Sequence, residues 1–467
     1  MSKSPAQLLF RQPEQGAVPL DPAAFPKGRR KLLVLRGSLM YDKIILPNGV
    51  RIVSEKMPHV RSSAIGIWLA VGSRYEKADE SGAAHFIEHM LFKGTEKYTA
   101  SELASIMDGI GGQINAFTSR ENTCFYARVL DTHLDTAVEV LADMLFSSNL
   151  APEDIQSERN VVLEEIDMYS DTPDDLAVER LVSKAFKGAL GRPTLGKPGT
   201  LQKMTSESLR NFMNRHYTAA NIVVSLAGSF TDAHLENISR LFSGLPAAKQ
   251  SVFSKGAYTP VMTAKRKATE QNHICLAFPG MSALDENRYK LLLMSNILGG
   301  GMSSRLFQTV RETHGLCYSV YSFTSMFKDT GMLGIYTALN RETEEQAIKL
   351  ILDEITKLLN DGVTEQELSR TREQVKSNVV MSMESSQSRM QKLGSGELVH
   401  GASPSPDELI RRYDAVTSED ILNTAREVLD LSKLSMSVVG KVKPIEQYTQ
   451  NLELMGLGLS LADKKRI

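Results

Sequence analysis

Apolar and polar residues alternate with a period of two over Asn122 to Leu130 and again over Met332 to Leu339, the pattern of half-buried strands. Each run is followed by a stretch of helical period, Leu134 to Leu145 and Thr343 to Leu359. Short continuous apolar runs at Ile222 to Gly228 and Leu434 to Gly440 read as buried strands. These elements recur in register. Thr205-Ser206-Glu207 returns as Thr417-Ser418-Glu419, 212 residues later, and Gly228 returns as Gly440 at the same offset. The helix start at Pro152-Glu153 likewise corresponds to Thr364-Glu365, and Ala137 to Leu141 resembles Ala347 to Ile351.

The repeat predicts an α+β chain of two homologous sandwich-like α/β domains, each a sheet with helices mainly on one face. The expected boundaries are 41–245 and 260–450, joined by a linker at 246–259 that contains Pro246, Lys249, Gln250, Ser251 and Gly256. Residues 451–467 read as a tail. Residues 1–40 hold Pro5, Pro13, Pro19, Pro22 and Pro26 and seven basic residues against Glu14 and Asp21, and are expected to be a flexible extension. A basic, acid-poor N-terminus is also the composition of a transit peptide.

The chain has 467 residues, too many for one ordinary core, and a net charge of −1 that leaves no electrostatic footprint for nucleic acid. Cys124, Cys275 and Cys317 are far apart and form no C-x-x-C pair, so neither a disulfide framework nor a zinc ribbon is expected. They fit a reducing compartment, cytoplasmic or, as the lesser alternative, an organelle matrix. No apolar run approaches the roughly 18 residues needed to span a bilayer.

The candidate chemistry begins at His85-Phe86-Ile87-Glu88-His89. On a helix, residues three and four apart are neighbours, so His85, Glu88 and His89 converge while Phe86, Met90 and Leu91 are free to pack inward. Imidazoles at i and i+4 suit Zn²⁺, which in a catalytic site takes a third protein ligand and keeps an open position. The helix that starts at Pro152 offers Glu158, Glu164 and Glu165, with Val161, Val162, Ile166 and Met168 for packing. Glu158 and Glu165 are seven apart and share a face, whereas Glu164 points elsewhere.

Beyond these residues, four segments together resemble the pitrilysin/insulinase family of zinc peptidases, in particular the subgroup that contains bacterial processing-peptidase-like enzymes and the mitochondrial processing peptidase β subunit. They are Gly72-Ser73-Arg74-Tyr75-Glu76 leading into the histidine motif, Gly111 to Thr118, Glu158 to Glu165, and Gly299 to Phe307 with Arg311-Glu312 and Gly315 to Tyr318. The resemblance implies that Glu165, 76 residues after His89, is the third ligand and that Glu158 is a supporting carboxylate. One Zn²⁺ per chain is expected because only the first copy carries the ligands; the resemblance implies Glu88 as general base and an extended peptide paired to the edge of Gln113 to Thr118. Asn115, Ala116 and Phe117 would then contact substrate, and Arg311 and Tyr318 would reach it from the second half. The same resemblance implies the partners: a peptide or unfolded polypeptide substrate, and a homodimer whose facing domains enclose a chamber.

The second copy lacks the ligands. Glu165 maps to Ser377, and the helix matching the histidine motif, Arg288 to Leu298, has Leu291-Leu292-Leu293-Met294 at its centre. The expected function is a zinc endopeptidase acting on extended peptides or precursor leader segments; the alternative is a catalytically silent scaffold or partner subunit.

Overall fold

The computed structural model describes residues 33–35 and 41–455. Seven strands form the first sheet: β1 (Leu33–Leu35), β2 (Asp42–Ile45), β3 (Arg51–Lys56), β4 (Ser62–Leu69), β5 (Gln113–Thr118), β6 (Thr123–Leu130) and β7 (Ile222–Gly228). Five form the second: β8 (Met262–Arg266), β9 (Asn272–Gly280), β10 (Cys317–Met326), β11 (Gly331–Leu339) and β12 (Ser435–Gly440). Read from the edge strand, the first sheet runs β5-β6-β4-β7-β3-β2-β1 and the second β10-β11-β9-β12-β8. Five strands thus repeat in the same order. In each copy the fourth and fifth of these pair in parallel, β7 with β3 and β12 with β8.

β7 is buried along its whole length because both faces of its sheet are covered, which is why its sequence is a continuous apolar run. On one face Ile65, Ile67 and Leu69 pack with Phe86, Ile87 and Met90 and with the helix Leu134–Ser147, all from the same half. The opposite face, with Ala64, Trp68, Cys124, Val223 and Ala227, receives Met390, Leu393 and Leu398 of the helix Ser386–His400, which belongs to the other half. The exchange is reciprocal. Ala177, Leu181 and Val182 of the helix Pro173–Ala185 pack on Cys275, Ala277, Met332 and Val439 of the second sheet. Separating the halves would expose two apolar layers at once, so they form one body.

Two boundaries differ from expectation. Leu33–Leu35, inside the segment 1–40 expected to be flexible, pairs antiparallel with Lys43–Ile45, extending the sheet edge; the rest of that segment lies outside the described residues. The helix Ile445–Leu454 runs through the expected start of the tail at 451, because Tyr448 and Leu452 bury themselves in the second core. The joining stretch 246–259 has no helix or strand, yet it is held at several points: the Arg74 guanidinium lies 3.9 Å from the Phe253 ring and donates to the Ser254 carbonyl at 2.9 Å.

Candidate metal centre

The motif helix, Ala83–Leu91, starts at Gly82, whose φ of +97° is left-handed; a Cβ there would meet the Gly196 Cα at 2.9 Å. Glu76 supplies the cap that Gly82 lacks, accepting the Gly82 N–H at 2.8 Å and the Ala84 N–H at 2.9 Å. Phe86, Ile87, Met90 and Leu91 are fully buried against the sheet, which turns His85, Glu88 and His89 to the other side. There they meet the helix Pro152–Asp171, begun by a proline in its first turn and by Glu153 and Asp154 at the positive end of its dipole. Val162 is buried and Ile166 packs on the first core, but Val161 and Met168 are exposed, contrary to expectation. Four before and three after Glu165, they share its open face.

The structure brings His85, His89 and Glu165 together. One nitrogen of each histidine and one Glu165 oxygen lie within 4.8 Å of one another. Glu165 Oε2 sits 3.5 Å from His85 Nε2 and 3.5 Å from His89 Nε2, too far for a good hydrogen bond, and it is buried with no hydrogen-bond partner. Zinc bonds of about 2.0–2.1 Å would set tetrahedral ligand atoms roughly 3.4 Å apart, so the three donors fit that ion. Among the described residues this is the one such group of three or more His, Cys, Asp or Glu side chains.

The surrounding polar groups are ordered around it. Glu158 is buried and pairs its Oε2 with His89 Nδ1 at 3.0 Å, while Lys93 pairs with its other oxygen. That contact leaves His89 Nε2 facing Glu165. Thr118 Oγ1 donates to Glu88 Oε2 at 2.5 Å, joining β5 to the motif helix. Burial and the neighbouring His89 push the His85 pKa well down. Burial also works against a charged His89, but Glu165 and Glu158 outweigh it and hold its pKa above the ordinary value. His89 beside it holds Glu165 below the usual carboxylate range, whereas burial holds Glu88 above that range.

β5 lies at the sheet edge, as the alternating exposure of Gln113 and Asn115 suggests. Ser119 N–H donates to the Asn122 carbonyl at 2.8 Å and closes the hairpin, so the facing pairs Phe117/Cys124 and Asn115/Tyr126 point their backbone groups inward. Ala116 and Thr118 point theirs to the open edge. The Ala116 N–H there is met by Asn115 Oδ1 at 2.8 Å. The Phe117 ring packs away from the histidines, 5.7 Å from Trp68 and 6.3 Å from Tyr126. Arg311 sits on the π-helix Phe307–Thr313, its guanidinium 4.6 Å from the Phe307 ring and 4.7 Å from that of Tyr318, which is 75% exposed. No hydrogen bond or ion pair among the described residues joins Arg311 or Tyr318 to the histidine cluster.

Sequence reasoning did not single out Thr118, Lys93 or the capping role of Glu76. The signal for Lys93 was its place four residues after His89; Thr118 and Glu76 are brought in by tertiary folding. In the second half Leu291, Leu293 and Met294 are buried in an apolar core.

Two histidines and a glutamate from two helices thus stand beside an open sheet edge. Residues 51–198 match the family model described as insulinase (peptidase family M16), and residues 203–375 match the peptidase M16 inactive domain. The chain belongs to this family. It is 43% identical over 392 residues to an uncharacterized zinc protease of Bacillus subtilis, covering 83% of this chain and 96% of the relative. It is 39% identical over 409 residues to another from Streptomyces coelicolor, covering 85% and 89%. In fold it resembles the crystal structure of a peptidase M16 inactive domain from Pseudomonas fluorescens, with a TM-score of 0.81, 20% identity, and 87% of this chain and 100% of that one covered. A protease from Helicobacter pylori aligns with a TM-score of 0.79 and 21% identity, covering 86% and 99%. No described helix is long and apolar enough to cross a membrane.

Proposed function

We propose that this chain is a zinc-dependent endopeptidase that cuts extended peptides or precursor leader segments, with His85, His89 and Glu165 as metal ligands. The observation that carries the reading is the buried Glu165 Oε2, without a hydrogen bond and 3.5 Å from two imidazole nitrogens. The zinc-protease names of the relatives support it. Bound there, Zn²⁺ supplies Lewis acidity and lowers the pKa of a coordinated water.

The rest is done by side chains. Glu88 takes the proton of the attacking water and returns it to the leaving amine; its raised pKa suits a base that must also act as an acid. Thr118 fixes the carboxylate that does this, and Glu158 fixes the His89 ring through Nδ1. An extended peptide adds to β5 by pairing with the outward N–H and C=O groups of Ala116, which sets its backbone beside Thr118 and Glu88. Asn115 would release the Ala116 N–H and turn to the substrate. Phe117 would hold the strand in place rather than touch the peptide, since its ring packs on Trp68 and its backbone groups pair with Cys124.

The second half would act across a homodimer, with Arg311 and Tyr318 of one chain serving the zinc of the other, one metal site per chain. Mixing Glu88→Gln with Tyr318→Phe protein should then restore part of the activity after subunit exchange; verified exchange without recovery refutes the trans arrangement. The peptidase reading itself is tested on quenched peptides: cleavage should be lost with a chelator and return with zinc. A zinc-loaded protein that cleaves none of a diverse peptide pool would refute it in favour of a scaffold.

A further inference from the structure

The segment Gly72-Ser73-Arg74-Tyr75-Glu76 takes no part in the chemistry above, yet Ser73, Arg74 and Glu76 are each at most 3% exposed. Its first residues hold the β5–β6 turn. Ser73 N–H donates to the Ser119 carbonyl at 3.2 Å and Arg74 N–H to the Arg120 carbonyl at 2.8 Å. Gly72 approaches so closely that a Cβ would meet the Ser119 oxygen at 2.1 Å. The Arg74 side chain continues the grip, with Nη1 2.5 Å from Glu121 in that turn and Nη2 2.7 Å from Asp329 in the β10–β11 turn of the second half. The last residue, Glu76, holds the start of the motif helix through two backbone N–H groups, and its own carbonyl accepts from Arg192.

One five-residue segment therefore grips both the hairpin of the peptide-binding edge and the helix of the metal ligands. A buried arginine between two carboxylates is a weak source of net stability, because desolvation offsets most of its Coulomb energy. What such a group does supply is direction, and a reacting constellation must be held to within about 0.5 Å. We infer that Gly72–Glu76 is a register clamp, in which Gly72 and Arg74 position the substrate strand and Glu76 positions the metal-binding helix. This rests on the peptidase reading, with peptide on β5 and zinc at His85, His89 and Glu165.

The two ends can be loosened separately. In Glu76→Gln either orientation of the carboxamide turns an NH₂ against the Gly82 or Ala84 N–H, which disturbs the helix start. Zinc affinity, measured by chelator competition, should fall about 10-fold or more, with the cleaved bonds unchanged. Gly72→Ala should leave zinc affinity within about twofold but lower kcat about 100-fold at similar KM, the scale of a 1 Å misplacement. Mass spectrometry of one long peptide should then show cuts spread over neighbouring bonds. If Gly72→Ala does not fold, Glu121→Gln weakens the same end without adding an atom and should spread the cuts likewise.

Wild-type zinc affinity in Glu76→Gln, or wild-type kcat and cleavage sites in the folded turn variant, would overturn the clamp. A wild-type protein that binds zinc but cuts nothing would instead refute the peptidase reading. The clamp would then be decided by zinc affinity in Glu76→Gln and by hydrogen exchange at residues 119–122, which the turn variant should accelerate; unchanged exchange would overturn it.

Discussion

The two halves share a strand order, a parallel pair at the same place and an exchanged helix, but they differ in what fills the helix behind the sheet. In the first half His85, Glu88 and His89 crowd together beside Glu165. In the second, Leu291, Leu293 and Met294 are fully buried, and Ser377 stands 212 residues after Glu165. A buried polar cluster without partners costs stability, so an apolar helix is the cheaper solution to the same packing problem. The difference teaches that this fold can bring two histidines and a glutamate together but does not require them. The second half is left to cover and pin: it lends the helix Ser386–His400 to the first sheet and Asp329 to Arg74.

The comparison breaks most completely at a ligand. His89→Ala should leave both halves without a metal and abolish activity, as zinc content and peptide turnover would show together; retained zinc would place the ligands elsewhere. Glu88→Gln sharpens it, because a base that does not coordinate can be neutralised without emptying the site. It should keep its zinc and hydrolyse peptide about 100-fold more slowly or worse. Loss of zinc there would make Glu88 a ligand instead.

Smaller effects separate support from ligation. Glu158→Gln should weaken zinc binding about 10- to 100-fold through the His89 ring, less than loss of a ligand. The pH dependence of zinc affinity should be gentler still. Ligands must be deprotonated to bind, so affinity falls as pH falls. His89, with its pKa raised by Glu165 and Glu158, takes up a proton first, whereas His85 and Glu165, both shifted down, stay deprotonated further into acid. Between the two histidine pKa values zinc should therefore displace one proton, and a slope of two would show that the histidines titrate together.

Much of this site is legible along the chain because it is local. The i, i+3, i+4 spacing of His85, Glu88 and His89 needs only a helix, and the seven-residue spacing sets Glu158 and Glu165 on one face. The repeat also gave the degenerate half directly, since Ser377 and Leu291–Met294 can be read by offset. What the sequence could not carry is pairing at a distance. An amphipathic pattern shows that Leu181 and Leu393 are buried, but not that each packs on the sheet of the other half. Phe117 lay in the expected substrate strand, yet side-chain alternation turns its ring to Trp68. Arg74 and Glu76 stand in a segment that carries the family resemblance, but their partners, Asp329 and the Gly82 N–H, are brought to them only by folding.

Zinc per polypeptide, measured by elemental analysis in the purified chain and in His85→Ala, tests the asymmetry of the halves most directly. One zinc in the first and none in the second is the expected result; two per chain, or one that persists without His85, would contradict it.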